Sequence, residues 1–399
     1  MKFVIEALGL KVGGGKELAL NLMDRLAQNP RHRFVFLVPD LPGFAGLSGA
    51  RVELITFRES FGLVGRSYLL NHVVRRICVQ HRADALLCLG NLPPRRVPCP
   101  TVVLMQNAWL VARNLVAERR LTFREKLVIA YGRRRYHKLP DRTHVVVQTT
   151  LMRNKLCPRF GIDPRHVAVI PNGMGLSPSD VAGPRRQELA DSAGPFTFLC
   201  LARYYAHKNL EILLEAMEKL PLYTRHPARC LLTIAPGQHP QAARLLRQVA
   251  ARGLQDRIIN LGPLPRERLA ETFRVADALI FPTLLESHSR TYFEAMHFGL
   301  PIATSDCDFA RDTCRDAAIY FDPLDPAAVA RAMSKMMEDG MLRRWLVQNG
   351  HALLARAPGW DELAARFVAA LECAASGEWK ATADGGDTRA VNAVQEALI

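Results

Sequence analysis

The chain has 399 residues, 49% of them hydrophobic, and carries 53 Lys and Arg against 38 Asp and Glu for a net charge of +15. That length favours two domains of ordinary size, and the composition excludes a chain that is disordered as a whole. Nine cysteines, an odd number without any CxxC pair, exclude a disulfide framework and suit free thiols in a reducing compartment. Glu6 places a charge too early for a signal-peptide core. The longest uncharged run, 97–112, is broken by Pro98 and Pro100 and is too short to span a bilayer, so a cytoplasmic location is expected.

The positive charge is uneven. Residues 1–175 hold 28 Lys and Arg against 11 Asp and Glu, and the remainder holds 25 against 27. An anionic partner on the first half follows: nucleic acid, an acidic membrane surface or a charged substrate.

In chain order, a strand at 2–6 leads into the glycine loop Gly13, Gly14, Gly15 and a helix with Leu18, Leu22 and Leu26 on one face. Strands follow at 34–38 and 52–55, a helix near 67–80, and strands at 85–88 and 101–105. The segment 111–142 is read as helical and basic, with ten Lys or Arg residues, and strands at 145–147 and 167–170 close the half. Residues 178–194 lose periodicity and read as a linker. The alternation then restarts, with strands at 196–201, 231–235, 258–261, 278–281, 302–304 and 318–321. Helices are expected near 210–220, 240–252, 266–275, 291–299, 325–338 and 341–355. A last helix, 360–375, is free to cross back to the first domain, and the tail 376–399 reads as loose. Alternating strands and helices imply two Rossmann-like, doubly wound parallel sheets, at 1–177 and 195–359, with a cleft between them.

Two stretches carry candidate chemistry. In the first, a strand ends before Arg203, a short loop carries Lys208, and a helix starts near Asn209. Two cations flanking a helix N-terminus at the carboxyl edge of a sheet make a diphosphate site. Solvated loop cations with Asn209 as an N-cap are the plain alternative. In the second, Glu286 and Glu294 bracket a loop-to-helix transition after the strand 278–281. Glu294 could hold a ribose diol, or merely close a capping box with Thr291. Glu286 could bind sugar hydroxyls, or be an ordinary loop carboxylate.

Arg203 with Lys208, Gly262-Pro263, Glu286 with Glu294, and the run from Gly299 to Asp306 together resemble the retaining GT-B glycosyltransferases of the family 4 type. The segments 169–173 and 147–152 and the glycines Gly13 and Gly14 resemble parts of the same family. The resemblance implies a nucleoside-diphosphate-sugar donor held mainly by the second half. Arg203 and Lys208 would neutralise the leaving diphosphate, Glu294 would hold the ribose, and Glu286 would contact the transferred sugar. His288, Ser289 and Arg290 at the helix start would assist, and Gly13 and Gly14 would admit the diphosphate. No cofactor and no metal are expected, because protein cations take over the charge stabilisation.

Two departures from the family stand out. Ser287 and Ser289 occupy a loop where glycines are frequent, and Gln106-Asn107 stands where a His is common. Asn107 is the candidate there, able to hydrogen-bond a hydroxyl but not to act as a base. Asp306-Cys307-Asp308 spells a metal-binding DxD but reads as a turn or helix cap. The expected function is retaining transfer to a polysaccharide or lipid-linked acceptor in envelope glycan synthesis. The basic segment 111–142, with Trp109, Leu110 and Val111, would meet an anionic membrane; nucleic acid is disfavoured, because aromatic residues do not interleave with the basic run. Epimerase, phosphorylase and non-catalytic sugar-nucleotide-binding readings are the alternatives.

Overall fold

The computed structural model describes residues 1–58, 63–172 and 194–379. These divide into two compact units: 1–112 with 123–172 and 358–379, and 113–122 with 194–357.

The first unit begins with β1 (Lys2–Glu6), α1 (Gly13–Ala27), β2 (Arg33–Pro39), β3 (Val52–Phe57), α2 (Leu63–Tyr68) and α3 (Val74–Gln80). A π-helical stretch, Leu69–Val73, joins the last two, so the single helix expected over 67–80 contains a wide turn. β4 (Ala85–Cys88), β5 (Thr101–Leu104) and α4 (Ala108–Val111) follow. α5 (Leu115–Arg120) belongs to the other unit, and α6 (Phe123–Tyr136), β6 (Thr143–Val147), α7 (Thr150–Phe160) and β7 (Val167–Val169) return to the first. The strands form one parallel sheet ordered β3-β2-β1-β4-β5-β6-β7. Its central strands are continuous apolar runs because helices cover both faces.

The second unit contains β8 (Phe196–Cys200), α8 (Ile212–Lys219), β9 (Ala228–Leu232), α9 (Pro240–Ala251), β10 (Ile258–Asn260), α10 (Leu269–Val275), β11 (Ala278–Phe281) and α11 (Arg290–His297). β12 (Ile302–Ser305), α12 (Asp308–Cys314), β13 (Ala318–Phe321), α13 (Pro326–Glu338) and α14 (Gly340–Leu354) complete it. Its parallel sheet is ordered β10-β9-β8-β11-β12-β13. β9 lies three residues earlier than expected, because Arg229 sits within it and donates from Nε to Thr197 Oγ1 at 2.9 Å.

The final helix, α15 (Trp360–Ser376), packs in the first unit. Trp360, Leu363, Phe367, Val368 and Leu371 join a core cluster with Leu18, Leu22 and Leu26 of α1 and with Phe3 and Ile5 of β1. At its far end Glu372 accepts from Arg31 Nη2 at 2.7 Å.

Several expectations change. Residues 113–122, assigned by sequence to the first domain, pack with the second unit. The helical run 111–142 is broken into pieces, with Asn107 and Asn114 as N-caps. Trp109, Leu110 and Val111 are buried and do not face a membrane. Within the basic run, Arg133 donates to the Trp109 carbonyl and Arg135 to the Pro93 carbonyl, so both serve the fold. The start of the expected loose tail is bound: Trp379 stacks on His144 with centroids 4.1 Å apart and donates to the Arg165 carbonyl at 3.0 Å. The expected linker lies outside the described residues apart from Gly194, and the tail beyond residue 379 lies outside them too.

Phe367 is 1% exposed inside the first unit. Truncation to Ala should cost about 3–5 kcal/mol, read as a lower urea midpoint by tryptophan fluorescence and circular dichroism.

Candidate functional site

In the second sheet the strand order reverses between β8 and β11, which pair directly through Ala278↔Phe198 and Leu279↔Leu199. Their two carboxyl-end loops therefore open side by side at a topological switch point, where doubly wound sheets bind ligands. The first loop carries Arg203 and Lys208, and the second carries Glu286.

The loops are tied to each other. Leu284 N–H donates to the His207 carbonyl at 2.7 Å, and Thr283, with no exposed surface, places its Oγ1 2.9 Å from Glu286 Oε1. Lys208 Nζ donates to Glu286 Oε1 at 2.6 Å, with both side chains only 12–13% exposed. The same ammonium lies 4.6 Å from the centre of the Phe281 ring. Burial pushes the Glu286 carboxyl upward. The charges of Lys208 and His207, with hydrogen bonds from Lys208 and Thr283, outweigh it and hold the group below the ordinary carboxylate value. Arg203, by contrast, is exposed.

Behind the first loop, Ala202 N–H donates to Thr233 Oγ1 at 3.0 Å and Tyr204 N–H to Gln238 Oε1 at 2.8 Å. Asn209 is left-handed at φ 55°, a region Asn tolerates, and donates to the Pro323 carbonyl at 2.8 Å. The helix expected to begin near Asn209 starts at Ile212, so Asn209 shapes the turn before it.

α11 begins at Arg290, with buried Ser289 at the N-cap position. Its first backbone N–H groups point out of the helix start at this sheet edge. Tyr292 is fully buried; its hydroxyl and Thr304 Oγ1 are 2.8 Å apart, and Thr304 donates to the Phe281 carbonyl at 2.9 Å. These bonds pin the helix start to β11. The capping box between Thr291 and Glu294 does not form, because both residues lie inside the helix; Glu294 instead lies 3.7 Å from Arg290. A Schellman motif ends the helix. Gly299 at φ 68° donates to the Met296 carbonyl and Leu300 to that of Ala295. His288 stacks on Phe293, and burial drives its imidazole down to about 4, so it is neutral near pH 7.

Asp306 is engaged by Arg311 through Nε at 2.5 Å and Nη2 at 2.8 Å, and Asp308 opens α12. Among the described residues no group of three or more His, Cys, Asp or Glu is placed to hold a metal ion.

The first unit has its own switch point, between β1 and β4. Gly13, at φ 72°, and Gly14 open α1 beside it. Asn107 follows β5 and caps α4, its Oδ1 accepting from Trp109 N–H at 3.0 Å. Gln106 N–H donates to Asn91 Oδ1 at 2.7 Å. The sequence reading missed Glu6, which ends β1, is 2% exposed, and accepts from Leu8 N–H at 2.9 Å. Burial raises its carboxyl, opposed by the nearby Arg66 guanidinium. Arg66 donates to the Gly90 carbonyl at 3.2 Å and lies where a Cβ at Gly9 would stand. An acid closing a first strand at the switch point was the available signal. His207 was also missed, although it adjoins Lys208.

The second unit is a doubly wound α/β fold with the Lys208–Glu286 pair at its switch point and the start of α11 on the following loop. The match to known families is more particular: residues 12–177 fit the model of Glycosyltransferase Family 4, and residues 184–352 fit that of Glycosyl transferases group 1. The chain belongs to the group 1 glycosyltransferases and has their two-sheet GT-B fold. A D-inositol 3-phosphate glycosyltransferase from Geodermatophilus obscurus is 28% identical over 286 residues, covering 69% of this chain and 60% of that protein. HepE from Anabaena, solved with UDP-glucose, superposes with TM-score 0.69 at 16% identity, covering 93% of this chain and 99% of that one. WaaG, a glycosyltransferase involved in lipopolysaccharide biosynthesis, superposes with TM-score 0.68 at 15% identity, covering 91% and 98%.

The Lys208–Glu286 pair has a pH signature. A depressed carboxyl contributes stability above its unfolded value, and that contribution is lost as pH falls through the folded value. In Lys208→Met burial is left with less opposition, so the Glu286 carboxyl should rise and the sign reverse. Urea unfolding between about pH 5 and 8 should then show the variant losing stability relative to wild type as pH rises.

Proposed function

We propose that the protein is a retaining, metal-independent glycosyltransferase that moves a sugar from a nucleoside-diphosphate donor to a glycan or lipid-linked acceptor. The observation that carries this reading is the pairing of Lys208 with Glu286 at the β8/β11 switch point, beside exposed Arg203 and the N-terminus of α11. In this reading the diphosphate leaves toward Arg203, Lys208 and the α11 amides, whose fixed positive charge stabilises it without reorganisation. Glu286, held ionised, accepts hydroxyls of the transferred sugar, and Glu294 takes the ribose diol. His288 enters as a neutral group, and Ser289 and Arg290 flank the donor at the helix start. Protein cations fill the role of a divalent ion, in keeping with the bidentate hold of Arg311 on Asp306. The acceptor attacks from the face the diphosphate leaves.

The relatives favour a nucleotide-sugar donor, since HepE is solved with UDP-glucose. They also favour an envelope glycan as product, since WaaG is involved in lipopolysaccharide biosynthesis. A cytoplasmic protein bound peripherally to the membrane follows, with α6 as the contact. Phe123 and Leu127, one turn apart, are 77% and 48% exposed, with exposed Arg124 and Lys126 between them and exposed Arg134 further along the helix. Apolar side chains within a basic helix face are the chemistry of an interfacial helix. No helix of the described residues is long and apolar enough to cross a membrane.

Arg203→Ala and Lys208→Ala should each lower turnover of the nucleotide sugar by about 100-fold or more, the size of a lost oxyanion-type contact. Release of nucleoside diphosphate, with the donor chosen by thermal shift against a panel of nucleotide sugars, checks this. Wild-type turnover in both variants would remove the donor-site assignment.

A further inference from the structure

The segment Arg113–Thr122 lies in the second unit although the chain on either side of it lies in the first. Its two ends grip the two loops of the candidate site. At one end Asn114 caps α5 through Oδ1, which accepts from Ala117 N–H at 3.1 Å, and turns its Nδ2 to the Leu284 carbonyl at 3.3 Å. At the other end Arg120 Nη1 donates to Asn209 Oδ1 at 3.0 Å and to Glu211 Oε2 at 2.8 Å. Leu284 stands two residues before Glu286, and Asn209 directly follows Lys208.

The network behind Arg120 is closed. Asn209 is 2% exposed, with its oxygen held by Arg120 and its nitrogen bound to the Pro323 carbonyl, so its amide is fixed at both ends. Glu211 accepts through its second oxygen from the hydroxyl of Tyr204, which is 1% exposed. Arg120 thus touches both ends of the turn that presents Lys208: Asn209 directly, and Tyr204 through Glu211. Its side chain is 26% exposed and that of Glu211 23%. The pair is partly buried, so its removal should cost a modest amount of stability without unfolding the unit. Its effect is geometric: a single guanidinium nitrogen, Nη1, holds two acceptors at once, one on each side of the turn's end.

We propose that Arg120 is a positioning residue for the donor site, holding the Tyr204–Asn209 turn so that Lys208 meets the diphosphate and keeps its bond to Glu286. This rests on the reading of Lys208 and Glu286 as donor-site residues. Misplacing a charged group by about 1 Å costs up to about 100-fold in rate. Arg120→Ala should therefore lower kcat for nucleoside-diphosphate release by about 10- to 100-fold while leaving Tm near wild type. Arg120→Lys, whose single ammonium keeps the charge and enough donors for both acceptors but ends a shorter side chain, should recover part of the loss. Arg119→Ala, an exposed neighbour on the same helix, should leave kcat unchanged.

The assay uses the full chain with UDP-glucose, UDP-N-acetylglucosamine, GDP-mannose and ADP-glucose together, and Lys208→Ala as reference. Amide hydrogen exchange should quicken in Arg120→Ala for peptides spanning 203–211 and stay at wild-type rates in the β8 and β12 strands. Wild-type kcat in Arg120→Ala beside a failed Lys208→Ala overturns the positioning role and leaves the donor reading intact. Wild-type turnover in Lys208→Ala removes Lys208 from the donor site and the positioning proposal with it. Faster exchange throughout the second unit, with Tm and kcat falling together, makes Arg120 a stability residue and also overturns the proposal.

Discussion

One contact organises the second unit: the 2.6 Å bond from Lys208 to Glu286. A carboxylate or an ammonium alone at this depth would carry a desolvation penalty of several kcal/mol. Together, and with Thr283 and the Phe281 ring as further partners, they can both stay charged at the end of a sheet. The pair links residues 78 positions apart, so it can exist only if β8 and β11 lie side by side. Strand order is therefore a precondition of the site's electrostatics. The Leu284-to-His207 backbone bond and the Tyr292–Thr304 hydroxyl pair then set the height of each loop above the sheet.

The arrangement divides the positive charge by role. Lys208 is tied to a carboxylate and its position is determined before any ligand arrives. Arg203 stands exposed on the same loop, and the amides of α11 supply fixed dipoles that cannot be neutralised by a counter-charge. A phosphorylated ligand would thus meet one cation already fixed by its partner and one still in solvent. Such preorganisation lowers the reorganisation needed when charge develops on a leaving group.

The strands were largely legible because buried parallel strands are short unbroken apolar runs, as in 85–88, 278–281 and 318–321. β9 was displaced because a charged residue, Arg229, lies inside it and reaches a threonine on the neighbouring strand. The candidate site was legible as residue types in order: Arg203, Lys208, Glu286, Glu294. Their mutual contacts were not, since the Lys208–Glu286 bond depends on strand adjacency and the Arg120 bonds on a chain excursion without any local periodicity. The basic run misled for a related reason. Sequence counts Arg133 and Arg135 as surface charge, whereas their long stems allow the guanidinium to reach carbonyls inside. Glu294 shows the limit of pattern matching, because a capping box requires a helix start that the fold places four residues upstream of it.

The placement of α15 has a consequence for the order in which the molecule is made. The core of the first unit closes only when Trp360, Leu363, Phe367 and Leu371 pack against α1 and β1. During synthesis those residues emerge after the whole second sheet, so the first unit waits on the ribosome with an open apolar face while the second can already fold. Until then the side of α1 and β1 that α15 covers stays an apolar surface, the kind a chaperone meets.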